Sequence, residues 1–164
     1  MKHQIDILST THNGARTLPR MLEASSGLSA PGRPFRILAV NNGSSDDTGS
    51  ILAERAARLP LVLLQCAEPG KAPAQAWVLP HLEGDLIAIA DDDIIPETDW
   101  LRSLERAADE TPEACFFGGA ITPLAIDPVG PGIPPLRVSK ATCLPTRYIR
   151  AGSFPGRTRS SART

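Results

Sequence analysis

Three adjacent carboxylates, Asp91-Asp92-Asp93, stand directly after the apolar run Leu86-Ile87-Ala88-Ile89-Ala90. A short apolar run of that kind reads as a buried strand. Carboxylates gathered at the end of a buried strand repel one another and resist desolvation, a cost that a divalent cation relieves. Side chains alternate along a strand, so Asp91 and Asp93 are expected to point the same way. One hard ion such as Mg²⁺ or Mn²⁺ could then sit between them and a phosphate. The plainer reading is an acidic turn whose carboxylates cap the next helix. The triplet alone leaves both open.

The elements that must position this triplet follow from hydrophobic periodicity. Apolar runs at 5–9, 35–40, 61–66, 85–90 and 114–121 read as strands, the last containing Gly118-Gly119. Helical patterns fill the intervals. One runs from Thr17 as N-cap to about Ser26, with Pro19 tolerated in its first turn. The second runs over 46–59, capped by Ser45 or Asp46, ended by Pro60 and apolar along Ile51, Leu52, Ala56 and Leu59. A third, over 71–82, is weakened by Pro73 and Pro80, and a fourth covers 98–109. Strands alternating with helices imply right-handed crossovers and a mainly parallel sheet in a three-layer α/β/α domain. Ligands of such sheets bind at the carboxyl ends of the strands. The polar clusters fall there: Thr10 to Asn13, Asn41 to Asp46, Glu68 to Lys71, and the three aspartates.

Composition sets the frame. The 164 residues amount to one domain or less, and 41% hydrophobic content is ordinary for a soluble protein. A net charge of -1 gives no argument for nucleic acid or an anionic membrane. That value hides an asymmetry: residues 1–124 carry 10 basic against 17 acidic side chains, residues 125–164 carry 7 against 1. Cys66, Cys115 and Cys143 form no C-x-x-C pair, so neither zinc nor a disulfide framework is indicated. Cys66 and Cys115 read as small buried hydrophobes. No apolar stretch reaches the roughly 20 residues that span a bilayer, and the N-terminus shows no signal-peptide core. The expected compartment is a reducing cytoplasm.

Several stretches, taken in order, resemble glycosyltransferase family 2. They are Ile7-Leu8-Ser9-Thr10-Thr11-His12-Asn13; Leu38-Ala39-Val40-Asn41-Asn42-Gly43-Ser44-Ser45-Asp46-Asp47-Thr48; Gly70-Lys71; Glu83-Gly84-Asp85 through Asp93; and Ile95-Pro96-Glu97-Thr98-Asp99-Trp100-Leu101. Order and spacing match across residues 4–124. The resemblance implies a Rossmann-like GT-A fold, a nucleotide-sugar donor, a divalent cation and inversion at the anomeric carbon. It implies donor contacts from Thr10, Thr11, Asn13, Asn42, Ser44, Lys71, Asp91 and Asp92, and metal contacts from Asp91 and Asp93. Thr10 and Thr11 would lie against the nucleoside, Asn42 would hydrogen-bond the base, and Lys71 would stand near base and phosphates. An Asn amide both donates and accepts, so it can read a uracil-like edge, and a UDP-sugar is the favoured donor. The acceptor, whether glycan, lipid or protein, is not specified, and the resemblance adds peripheral attachment at the inner membrane as the alternative to a free cytoplasmic location.

The resemblance has departures. The family's acceptor half and its general base usually follow the Gly-Gly strand, and only Asp127 is acidic beyond residue 124. Residues 125–164 are rich in Pro, Arg and Ser without periodicity, and are expected to be disordered or read out of frame in a truncated, inactive gene product. Asn41 and Ala76 stand where the family often has Asp and Asn.

Plainer readings attach to the same residues. The 41–47 segment suits a loop and helix cap on composition alone, and Gly70-Lys71 is too short to be a phosphate loop. His12 and His81 read as surface or loop histidines, Trp77 and Trp100 as packing. The alternatives to a glycosyltransferase are a nucleotidyltransferase, whose Gly- and Arg-rich first loop is missing from 10–16, and a non-catalytic nucleotide-sugar-binding fragment.

Overall fold

The structure is a computed structural model, and it describes residues 2–29, 31–119 and 121. The chain divides into two compact units, Met1–Arg106 and Ala107–Thr164. Four strands, β1 (Lys2–Thr11), β2 (Phe35–Asn41), β3 (Leu61–Gln65) and β4 (Gly84–Asp91), form the sheet of the first unit. Its order is β3-β2-β1-β4, and every neighbouring pair is parallel. The expected parallel α/β architecture is therefore present.

The helices are α1 (Leu18–Ser26), α2 (Thr48–Ala56), α3 (Lys71–Val78) and α4 (Trp100–Glu110). Leu18, Met21, Leu22 and Ser25 recur at i, i+3, i+4 and i+7 and are all buried, which gives α1 one face to pack into the core. Leu18, Met21, Leu22 and Leu52 pack with Ala39, and Leu101 of α4 packs with Ile5, Ile7, Ile37, Ala88 and Ala90. The opposite face carries Leu8, Leu38 and Val40 under Ala74 and Val78 of α3. Ile89, the β4 partner of Leu8, lies beyond that cover and is 58% exposed. Each fully buried Leu or Met in these layers contributes on the order of 2 kcal/mol.

Element ends differ from expectation for local reasons. The second helix starts at Thr48 rather than 46, because the Asp46 carboxylate accepts the Thr48 N–H (3.1 Å) and so caps from outside the helix. It ends at Ala56, where the Arg58 and Leu59 N–H groups both turn onto the Arg55 carbonyl at 3.0 Å. Pro80 cannot continue the third helix, which closes at Val78 and tightens into a 3₁₀ turn over Leu79–His81.

The expected fifth strand is absent among the described residues of 114–121. In the second unit the Thr111 N–H closes on the Ala107 carbonyl at 3.1 Å and the Ala114 N–H on the Thr111 carbonyl at 3.0 Å, after which the backbone is irregular. An apolar run is a strand only where a neighbour pairs its backbone groups, and the Gly pair weakens its own preference for extended structure. Cys66 is buried as expected, whereas Cys115 is exposed, because the strand that would have buried it is not formed. The 125–164 segment, with Asp127 and Cys143, lies outside the described residues. No described helix is long and apolar enough to cross a membrane.

Candidate active site

Register brings the polar strand ends to one level. Thr11 of β1 pairs with Asn41 of β2, Asn41 with Gln65 of β3, and Thr10 with Asp91 of β4. The chain leaves β1 towards β2 and β3 and returns on the other side of β1 for β4. The crevice where strand order reverses therefore lies between β1 and β4, which is where open parallel sheets take their ligands.

A cleft of about 600 Å³ opens there. Thr10, Thr11, Asn42, Lys71, Asp91, Asp92 and Asp93 all line it, so seven expected residues from four separate segments share one cavity. Asn13 and Ser44 are not among the lining residues. They join the first two loops instead: the Asn13 N–H donates to Ser44 Oγ at 2.9 Å, and Asn13 Oδ1 accepts the Ser45 N–H at 2.8 Å. Asn13 holds a positive φ of 53°, a conformation that Asn tolerates better than most residues.

The aspartates are not equivalent. Asp91 is the last residue of β4, while Asp92 and Asp93 already belong to a turn closed by the Ile94 N–H on the Asp91 carbonyl. Strand alternation thus ends at Asp91, and the turn, not the pleat, carries Asp93 to the cleft. Asp92 accepts a hydrogen bond from the Thr11 hydroxyl. Gly14 lies beneath that pair: a Cβ there would come within 2.2 Å of Thr11 Oγ1 and 2.5 Å of Asp92 Oδ2. Asp91 is paired with the Lys71 ammonium.

Asn42 is 6% exposed, and its amide is engaged on the neighbouring loop. Nδ2 donates to the carbonyls of Cys66 (3.2 Å) and Glu68, and Oδ1 accepts the Gly70 N–H at 3.0 Å. Its role in the structure is to fasten residues 66–70, rather than to offer a free edge. His12, read from the sequence as a plain loop histidine, lines the cleft with Gly43, Ala67, Pro69 and Gly70. Its Nδ1–H donates to the Asn42 carbonyl at 2.7 Å, so Nε2 is left to accept from the Asn13 amide at 3.3 Å. The signal for His12 was its place directly after Thr11.

The first loop is anchored from below by Asp46. Its carboxylate accepts the Ala15 N–H (3.1 Å) and the Thr48 hydroxyl, while Thr48 Oγ1 accepts the Gly14 N–H at 2.9 Å. The Thr48 hydroxyl, with the Thr48 and Ala15 backbone amides, holds the Asp46 carboxyl below its ordinary range. Thr10 Oγ1 is buried with no hydrogen-bond partner, although Thr10 lines the cleft. A buried hydroxyl without a partner is costly unless a ligand supplies one.

The glycosyl transferase family 2 model matches residues 6–124. Similar solved structures include S. aureus TarS 1–349 in complex with UDP-GlcNAc, 22% identical with a TM-score of 0.59, over 68% of this chain and 32% of that one. The mannosyltransferase PcManGT from Pyrobaculum calidifontis, in complex with GDP-Man and Mn²⁺, is 24% identical with a TM-score of 0.63, over 76% of this chain and 36% of that one. Glucosyl-3-phosphoglycerate synthase from Mycobacterium tuberculosis, with Mn²⁺, UDP and glucosyl-3-phosphoglycerate, is 20% identical with a TM-score of 0.51, over 60% and 37%. At these identities the likeness establishes the fold, a Rossmann-like GT-A fold. The chain spans about a third of the length of each of these three. Comparison with curated proteins gives no match.

Proposed function

Since this chain belongs to glycosyl transferase family 2, we propose that residues 1–124 bind a nucleoside-diphosphate sugar in the β1–β4 cleft and form the donor-binding part of an inverting, metal-dependent glycosyltransferase. The observation that carries this reading is the convergence of Thr10, Lys71, Asp91 and Asp93 on one cavity at the switch point of a parallel sheet.

The chemistry of the donor set fits a divalent cation once the diphosphate supplies further oxygens: Asp91 and Asp93 offer hard oxygen ligands on one cleft, and their negative charge already draws the Lys71 ammonium to Asp91. When bound, Mg²⁺ or Mn²⁺ would neutralise charge developing on the departing diphosphate. Asp91 and Asp93 would hold it, and Lys71 would add a second positive charge beside the phosphates. The Thr10 hydroxyl would find its partner on the donor. Asn42 would act through the 66–70 loop, setting the wall against which the nucleoside rests.

A uridine nucleotide is the first donor to test, since two of the three structures above hold one. Among the described residues the acids lining the cleft are the three aspartates, all assigned here to the donor side, and the family resemblance places the general base that activates the acceptor hydroxyl after residue 124. The nucleotidyltransferase alternative gains nothing, because the 10–16 loop holds one Gly and one Arg.

Calorimetric titration of the purified chain with UDP and GDP, with and without Mn²⁺, tests the proposal. Metal-dependent binding of at least one of them is expected. Failure of both to bind in the presence of the metal overturns it.

A further inference from the structure

We infer that Lys71 is a tethered counter-ion for Asp91 that must leave it when the donor docks, so that a divalent ion and a nucleoside diphosphate occupy the cleft together rather than one by one. This rests on the donor-binding reading and adds a coupling to it.

Three observations carry the inference. First, the pair bridges the two walls of the cleft: Lys71 is the first residue of α3, and Asp91 is the last of β4. Second, the origin of the Lys71 side chain is set by the fold. Gly70, immediately before it, holds φ 107°, a left-handed value that favours glycine, and its N–H is fixed on Asn42 Oδ1 at 3.0 Å. The same Asn42 amide also bonds the Cys66 and Glu68 carbonyls, which anchors the loop leading to Lys71. Third, the described residues contain no group of three His, Cys, Asp or Glu side chains able to hold a metal, and Asp92 is engaged by the Thr11 hydroxyl.

Charge and coordination then act together. A hard cation takes about six oxygen ligands, and two carboxylates, one already paired, do not supply them. A bare divalent ion at Asp91 would also face the Lys71 ammonium as a like charge. The diphosphate removes both obstacles: its oxygens complete the coordination, and its negative charge offers Lys71 a new partner. The exchange is easy because both partners are about half exposed, at 55% and 49%, and pairs of that kind are weak.

The test is Mn²⁺ binding to the full chain, read by the loss of free-ion electron paramagnetic resonance signal, with and without UDP. In the wild type, UDP is expected to tighten Mn²⁺ binding about tenfold. In Lys71→Gln, Mn²⁺ alone is expected to bind about threefold tighter than in the wild type, and the gain from UDP to shrink. Lys71→Arg, which keeps the charge, should return both values towards the wild type. An unchanged melting temperature verifies that the exposed substitutions leave the fold intact. If UDP tightens Mn²⁺ binding in the wild type but Lys71→Gln binds Mn²⁺ alone no better, the counter-ion role fails and the donor-binding reading stands. If the wild type shows Mn²⁺-dependent binding of neither UDP nor GDP, the donor-binding reading fails and this inference with it.

Discussion

Asp6 and Asp91 lie on adjacent parallel strands, at opposite ends of the same sheet, and their surroundings are opposites. Asp6 is fully buried, and several donors converge on it. Arg36 grips it with Nε at 2.8 Å and a terminal nitrogen at 3.1 Å; the Gln4 amide and the Glu83 and Gly84 N–H groups add bonds of 3.0, 2.7 and 2.9 Å. Burial pushes the Asp6 carboxyl up, but Arg36 and the Gly84 and Glu83 amides together outweigh it and bring its pKa down to about 2. Asp91 is half exposed and holds one flexible ammonium. A saturated carboxylate ties elements together; an under-satisfied one in a cleft is available to a ligand. The sheet thus keeps its structural charge at the amino end and its exchangeable charge at the carboxyl end.

The sharpest way to break this contrast is to remove Asp6. Asp6→Ala takes the main partner from a partly buried guanidinium and the acceptor from two backbone amides, so the unfolding free energy is expected to fall by about 3 kcal/mol, measured by urea denaturation. The same substitution at the rim, Asp91→Ala, should leave the urea midpoint nearly unmoved.

A smaller effect is the acid limb of stability. The Asp6 carboxyl is held at about 2 against an ordinary 3.8, so protons bind the unfolded chain more readily. Its contribution, about 2 kcal/mol, is complete above roughly pH 4 and is lost as the pH falls towards 2. Urea midpoints compared at pH 5 and pH 2.5 should show this loss in the wild type and a smaller one in Asp6→Asn.

At the rim the effect moves from stability to binding. Asp93→Asn removes one charged oxygen ligand, and metal-dependent nucleotide affinity is expected to drop about tenfold, which is near 1.4 kcal/mol. Its melting temperature should match the wild type. A melting temperature that falls with affinity would mean that Asp93 is a structural group like Asp6, and the contrast would dissolve.

Much of this was legible in the chain. The four strands and four helices sit where periods of two and 3.6 place them, because apolar faces must be buried whatever the partners. The strand-end clusters were legible too, since a parallel sheet puts all its carboxyl ends on one rim. Illegible were features set by a distant partner. The 114–121 run reads as a strand but has no described neighbour to pair with. Asp6 looked like one more residue of an apolar strand until Arg36, thirty residues away, came beside it. The resemblance implies a base contact for Asn42, and only the return of the 66–70 loop shows which backbone groups its amide also bonds.

Local residue pattern by itself determined the alternation of strand and helix, the parallel sheet and the identity of the polar groups on its rim. These depend on short-range preferences and on burial, which act along the chain. Tertiary structure alone decided which carboxylate is saturated and which is exchangeable, that Asp92 turns to Thr11 while Asp91 meets Lys71, and that His12 borders the cleft. Those outcomes depend on which donor arrives within hydrogen-bond reach, a distance of about 3 Å that no spacing along the chain encodes.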